Sequence, residues 1–172
     1  DSAPARLLAT LGVPLFVATS FSKSFALYGE RVGVLSVIAA DAGQAKLVGE
    51  KVKIAIRTNY STPPSHGALL VSTILTDPAL RVQWEAELDG MRERIRRMRH
   101  GLVQRLAGNN ARDFGRFLEQ QGLFSFSGLN GGQMARLKEE FGVYGVSDGR
   151  LCMAALTERT LDRVAAGIRA VA

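Results

Sequence analysis

Apolar residues recur along this chain in three rhythms, and each predicts a kind of element. The longest is helical: Leu80, Trp84, Leu88, Met91, Ile95, Met98, Leu102 and Leu106 fall three or four apart, one stripe on a helix from about Asp77 to Ala107. Asp77 and Pro78 suit the N-cap and first helical position, and acidic Glu85, Glu87 and Asp89 precede a basic run, an order that complements the helix dipole. At roughly 1.5 Å per residue such a helix is about 45 Å long, enough to bridge two domains. The second rhythm is unbroken: Leu15 to Thr19 and Val32 to Ala40 read as neighbouring strands, the latter so apolar that it predicts burial on both faces. The third begins after Gly108 and is short and alternating. It predicts a helix over Arg112–Gln120, a strand over Leu123–Ser127, a helix over Gln133–Glu140, strands over Val143–Val146 and Leu151–Ala154, and a last helix over Leu161–Val171 with Leu161, Val164, Ala165 and Ile168 inward.

Between these lie the end of a helix at Ala3–Leu11, broken by Gly12-Val13-Pro14, and a helix over Asp41–Ile56 with Ala45, Val48, Val52 and Ala55 inward. A turn that cannot continue it follows at Tyr60–Pro64, and then a helix over Ser65–Leu75. The sum is an α/β chain: a first part over 1–76, the long helix over 77–107, and a small α/β or α+β domain over 108–172.

Composition changes this picture little. With 172 residues and 47% hydrophobic content, the chain can bury a core as one large domain or two small ones. No apolar run approaches the roughly 18 residues of a membrane span, and one cysteine, Cys152, allows no disulfide within the chain, so a reducing cytoplasm is the expected setting. Cys152, inside Leu-Cys-Met-Ala, reads as a packed small hydrophobe. His66 and His100 are too few and too far apart for a zinc site, so no metal is expected. The net charge of +6 is concentrated in Met91–Arg105, which taken alone raises the possibility of a nucleic-acid binder. The apolar stripe instead predicts a packed helix with its arginines on the wet side, and no aromatic or glycine-rich RNA motif accompanies it.

The candidate chemistry sits in the loop between the two strands, SFSKSFALYGERVG, Ser20 to Gly33. Lys23 follows Ser20 by three positions and precedes Arg31 by eight. A lysine amine whose charge is disfavoured can form an imine with a carbonyl compound, and a hydroxyl plus a guanidinium fork is a phosphate-binding set. Together they suggest pyridoxal 5'-phosphate. The alternative is a solvated surface loop with one lysine and one arginine.

This stretch, with its hydroxyl-x-Ser-Lys core and Gly-x-Arg-Val-Gly ending, resembles the lysine signature of class I aminotransferases. The likeness continues through IRTNYSTPPSHGA at Ile56–Ala68, LFSFSGL at Leu123–Leu129 and FGVYGVSDGR at Phe141–Arg150, segments similar to those of aspartate and aromatic amino acid aminotransferases. The resemblance implies a fold-type I pyridoxal phosphate enzyme, here the carboxy-terminal portion of the large cofactor domain plus the small domain, and a chain less than half the length of the enzyme. By the same resemblance Lys23 is the catalytic and cofactor-binding lysine, Ser20 and Arg31 hold the phosphate, Arg150 binds the substrate α-carboxylate, and Phe124 lines the substrate pocket. Arg57 is implied to reach from a neighbouring subunit to the distal carboxylate of dicarboxylic substrates, which makes the expected assembly a homodimer with shared sites.

The substrates so implied are an amino acid and a 2-oxo acid. Thr62 departs from the asparagine common after Tyr-Ser in aspartate enzymes, which tilts the expectation towards acceptance of both acidic and aromatic amino acids. An aspartate at the pyridine nitrogen, a tyrosine near the cofactor oxygen and a phosphate-binding glycine loop belong upstream of Asp1, so the 172-residue piece alone is expected to be inactive. A fold-type I lyase or decarboxylase, or a binding domain without catalysis, remains as an alternative. The joint presence of Lys23, Arg31, Arg57 and Arg150 favours the aminotransferase.

Overall fold

The computed structural model describes residues 2–108 and 113–172. Two compact units divide the chain, Asp1–Trp84 and Glu85–Ala172, and the boundary falls inside the long helix.

In the first unit, α1 (Ala3–Thr10) leads into β1 (Leu15–Ser20), which pairs antiparallel with β2 (Gly33–Ile38) from Leu15 opposite Ile38 to Ser20 opposite Gly33. The expectation of a strand buried on both faces fails here. Val34 and Leu35 are 48% and 47% exposed, because β1 and β2 form a sheet of two strands and nothing among the described residues covers those positions. An all-apolar strand states what it needs, not what a given segment supplies.

Helix α2 (Ala42–Tyr60) starts on the Asp41 carboxylate, which accepts from the Gln44 amide at 2.8 Å, and runs a full turn beyond Ile56. Ala45, Val48 and Val52 are half-buried as their spacing predicts, while Ala55 is exposed and Ile56 takes the next inward place. Ser61, at φ 64°, ends the helix. Helix α3 (His66–Thr76) buries Gly67 and Val71.

Helix α4 (Pro78–Leu106) is capped as read, with Asp77 Oδ1 accepting from the amides of Ala79 and Leu80 at 2.8 and 3.0 Å. Its stripe is half-buried at Trp84, Leu88 and Ile95 and fully buried at Met98, Leu102 and Leu106, whereas Leu80 and Met91 are exposed. The arginines do not all face water. Arg99 is buried and donates to Gly122 O at 2.7 Å, and Arg94 donates to the carbonyls of Ala154 and Leu156. Burial pushes the Arg99 guanidinium below its usual pKa. Arg92 pairs with Asp89, Arg96 with Glu93 and Arg105 with Asp162, so much of the basic run serves the fold.

The second unit closes around Leu102, Phe117, Leu129, Leu137, Met153, Leu161 and Ile168. Of the expected helix over Arg112–Gln120, Arg112 lies outside the described residues, and only Gly115–Glu119 of the remainder is helical, as a 3-10 helix started by Asp113 Oδ1 accepting from the Gly115 amide. Strand β3 (Phe124–Phe126) pairs antiparallel with β4 (Arg150–Cys152), shorter than the expected Leu151–Ala154 strand because Met153–Ala155 turns into a second 3-10 helix. Val143–Val146 is not a strand. Val146 donates to Arg150 O at 3.0 Å and Gly149 donates to Val146 O at 2.9 Å, a tight turn that leaves no length for a ladder. Helix α5 (Gly131–Phe141) begins on an Asn130–Gln133 capping box, and α6 (Glu158–Val171) buries Leu161, Val164, Ala165 and Ile168 as predicted.

Candidate active site

The hairpin brings Lys23, Ser20 and Arg31 into one loop. Its two arms close where Ser20 lies opposite Gly33 and the Phe21 amide donates to Val32 O at 3.1 Å. A Cβ on Gly33 would stand 2.5 Å from Thr19 O, so the arms can approach this closely only with glycine there. Ser20 Oγ donates to Ser22 Oγ at 3.0 Å and accepts from the Ser22 amide at 3.2 Å, and Arg31 Nη1 donates to Tyr28 O at 3.0 Å. Lys23 is exposed, with Nζ 4.2 Å from the centroid of the Tyr28 ring. Ala26 and Arg31 both hold positive φ, 55° and 50°, rare for residues with a Cβ.

The loop is pinned from outside by Trp84, whose indole Nε1 donates to Ser24 O at 2.9 Å while its ring stacks on Phe25 at 4.5 Å. Glu30 is pinned too, accepting from or pairing with His66 Nδ1 at 2.9 Å. Neither Tyr28 nor Trp84 was among the residues singled out from sequence. In the sequence only nearness to Lys23 marks Tyr28, and Trp84 reads as one member of a helical stripe.

Arg57 lies in the last turn of α2, exposed, and its carbonyl accepts from the Ser61 amide at 3.2 Å. No ion pair or hydrogen bond of its side chain is found among the described residues.

In the second unit, Arg150 and Phe124 do meet. The guanidinium carbon stands 5.5 Å from the Phe124 ring centroid, and alternation leaves Phe124 and Phe126 exposed and Ser125 buried, so neither phenylalanine is a core residue of this unit. The corner that presents Arg150 is held tightly. Asp148 Oδ1 accepts from the Arg150 amide at 3.0 Å, and the fully buried Ser127 bonds Gly149 O through both its amide, at 2.9 Å, and its hydroxyl, at 2.7 Å. Gly149 itself has φ 91°, and a Cβ there would meet Leu129 O at 2.6 Å. On the outer edge of β3, Gln120 makes two hydrogen bonds to the Phe126 backbone, 2.7 and 3.1 Å.

A profile of the aminotransferases of class I and II matches residues 1–168. The chain belongs to that family. Among its relatives, an aspartate aminotransferase of Pseudomonas aeruginosa is 51% identical over 169 residues, 98% of this chain and 42% of the relative, and an aromatic-amino-acid aminotransferase of Escherichia coli is 46% identical over 172 residues, 99% and 43%. Of solved structures, an aromatic-amino-acid aminotransferase from Burkholderia pseudomallei, covalently bound to pyridoxal phosphate, superposes with a TM-score of 0.92 at 52% identity, covering 99% of this chain and 43% of that one. A psychrophilic aromatic aminotransferase from Psychrobacter, crystallised with aspartic acid, gives 0.93 at 41% identity. The aminotransferase chain thus spans less than half the length of the relatives it matches, and its α/β elements are those of a fold-type I transferase. Among the described residues, no helix is long and apolar enough to cross a membrane.

Proposed function

We propose that the full-length protein carrying this chain is a pyridoxal 5'-phosphate-dependent aminotransferase, moving an amino group between an amino acid, aspartate or aromatic, and a 2-oxo acid such as 2-oxoglutarate. The observation that carries this reading is the single loop holding Lys23, Ser20 and Arg31 on a hairpin whose arms approach closely at Gly33. The donor set fits the cofactor: one amine for an aldehyde, and one hydroxyl with one guanidinium for a phosphate.

Bound there, the cofactor would supply an electron sink for the pair released when the substrate Cα–H bond breaks. Lys23 would hold the cofactor through Nζ and, when its amine is free, would carry the proton to and from the substrate Cα. Ser20 and Arg31 would hold the phosphate. Arg150 takes the α-carboxylate in its fork and so orients the Cα–H bond, with the Phe124 face beside the guanidinium offering apolar contact to an aromatic side chain. Arg57 receives a distal carboxylate across a two-fold interface, and the enzyme works as a cytoplasmic homodimer with shared sites. Thr62 supports dual acceptance of acidic and aromatic substrates, in keeping with relatives named for both.

Borohydride reduction of the full-length protein loaded with cofactor, followed by peptide mapping, is expected to place the pyridoxyl group on Lys23. Labelling at Lys46, Lys51, Lys53 or Lys138 instead would remove the basis of the proposal.

A further inference from the structure

The lysine loop carries backbone strain at two non-glycine residues, Ala26 and Arg31, three and eight positions after Lys23. Such conformations persist only where the surroundings over-determine them. Within the loop, the Phe25 amide donates to Phe21 O at 3.1 Å and the Ala26 amide to Lys23 O at 3.3 Å, one turn of backbone with Lys23 inside it. A turn this short and this exposed needs a hold from elsewhere, and the structure shows one. Trp84, on α4, grips it twice: indole Nε1 donates to the carbonyl of Ser24, the residue after Lys23, and the indole face lies at 16° and 4.5 Å on Phe25. Phe25 in turn meets Phe21 edge to face at 5.4 Å, so the three rings bracket Lys23 on both sides along the chain.

From this geometry we propose that Trp84 is a positioning residue for Lys23: through Ser24 O and the Phe25 ring it fixes the turn that aims the lysine amine at the cofactor. The proposal rests on the reading of Lys23 as the cofactor-binding amine. Trp84 touches no reacting atom. Its effect passes through the backbone of the loop, where a small displacement at Ser24 moves the base of a long, flexible side chain.

The test uses the full-length protein with Trp84→Phe, which keeps an aromatic stack and loses the N–H, and Trp84→Leu, which loses both. Two readouts other than turnover are taken: the dissociation constant of pyridoxal phosphate by absorbance, and amide hydrogen exchange along the cofactor-free protein. Loss of the single hydrogen bond is expected to weaken cofactor binding about threefold to tenfold, and loss of the stack as well to weaken it about tenfold or more. Exchange should quicken over Ser20–Gly33 and stay as in the parent over α2 and α5. Unchanged affinity and unchanged loop exchange in a folded Trp84→Leu protein would overturn the proposal. So would exchange that quickens throughout the molecule in Trp84→Phe, since that marks general support of the fold rather than placement of one loop. If reduction of the parent protein labels a lysine other than Lys23, the functional reading fails separately, and loop exchange still decides whether Trp84 holds the turn.

Discussion

A guanidinium presented at a corner is only as well aimed as the corner is stiff, and the corner at Arg150 is held by several hydrogen bonds. Asp148 closes the turn from one side, and Ser127, fully buried, fastens Gly149 from the other with two hydrogen bonds. Arg150→Lys keeps the charge and loses the planar fork, and hydrogen bonds to charged groups contribute roughly 1.5–3 kcal/mol. In the full-length enzyme, kcat/KM is expected to fall about tenfold or more, and by a similar factor for every amino acid tested. A loss confined to dicarboxylic substrates, measured across aspartate and an aromatic amino acid, would assign the role wrongly. Arg150 stands out in the sequence as a candidate because an arginine after Ser-Asp-Gly belongs to a pattern that resembles the family. Ser127 does not, since its partner is 22 residues away and nothing in a serine's own neighbourhood announces a carbonyl across a sheet. Trp84 shows the same limit over 60 residues: its place in a helical stripe describes a face, and not the loop that the face will meet.

At the scale of elements, periodicity located helices well and misjudged what surrounds them. Six of the eight stripe positions of α4 and the four inward positions of α6 follow from spacing alone, while Leu80 and Met91 face solvent. The same spacing put Arg99 in water, yet it is buried, because a guanidinium with Gly122 O and Ser125 Oγ in reach can leave solvent without losing its partners. The strand read over Val143–Val146 failed for a different reason: its apolar pattern is real, but the turn at Val146–Gly149 is too tight for a ladder. The hairpin of β1 and β2 is the element on which the candidate site depends most directly. A methyl at Gly33 would fall 2.5 Å from Thr19 O, against backbone rather than a yielding side chain. Gly33→Ala is therefore expected to part the arms between Ser20 and Arg31, and to weaken pyridoxal phosphate binding by about tenfold or more in an otherwise folded protein. Absorbance titration beside a circular dichroism melt would check it; parent-like affinity would mean that the arms have room to spare.

For the whole molecule, the proposed sharing of sites between subunits has a direct test by mixing. Full-length Lys23→Ala lacks the amine, and full-length Arg57→Ala should fail mainly with dicarboxylic substrates. In a heterodimer with shared sites, one site carries both defects and the other neither, so co-refolding is expected to restore aspartate activity up to one good site per heterodimer. Activity that stays at the level of the separate mutants, with heterodimers shown to be present, would mean that Arg57 serves its own subunit. The two units also differ in how finished they are. Residues 85–172 hold a full apolar core, whereas among the described residues before Glu85 only Ser22, Gly67 and Val71 are buried. The ribbon of β1 and β2 leaves Phe16, Val34 and Leu35 in water, and among the described residues neither outer edge has a further strand. Open strand edges beside exposed apolar side chains are a template for another copy of the same ribbon. Produced as this segment alone, the chain would be drawn into insoluble self-association, and co-production with a polypeptide able to cover that ribbon would be the natural way to keep it in solution.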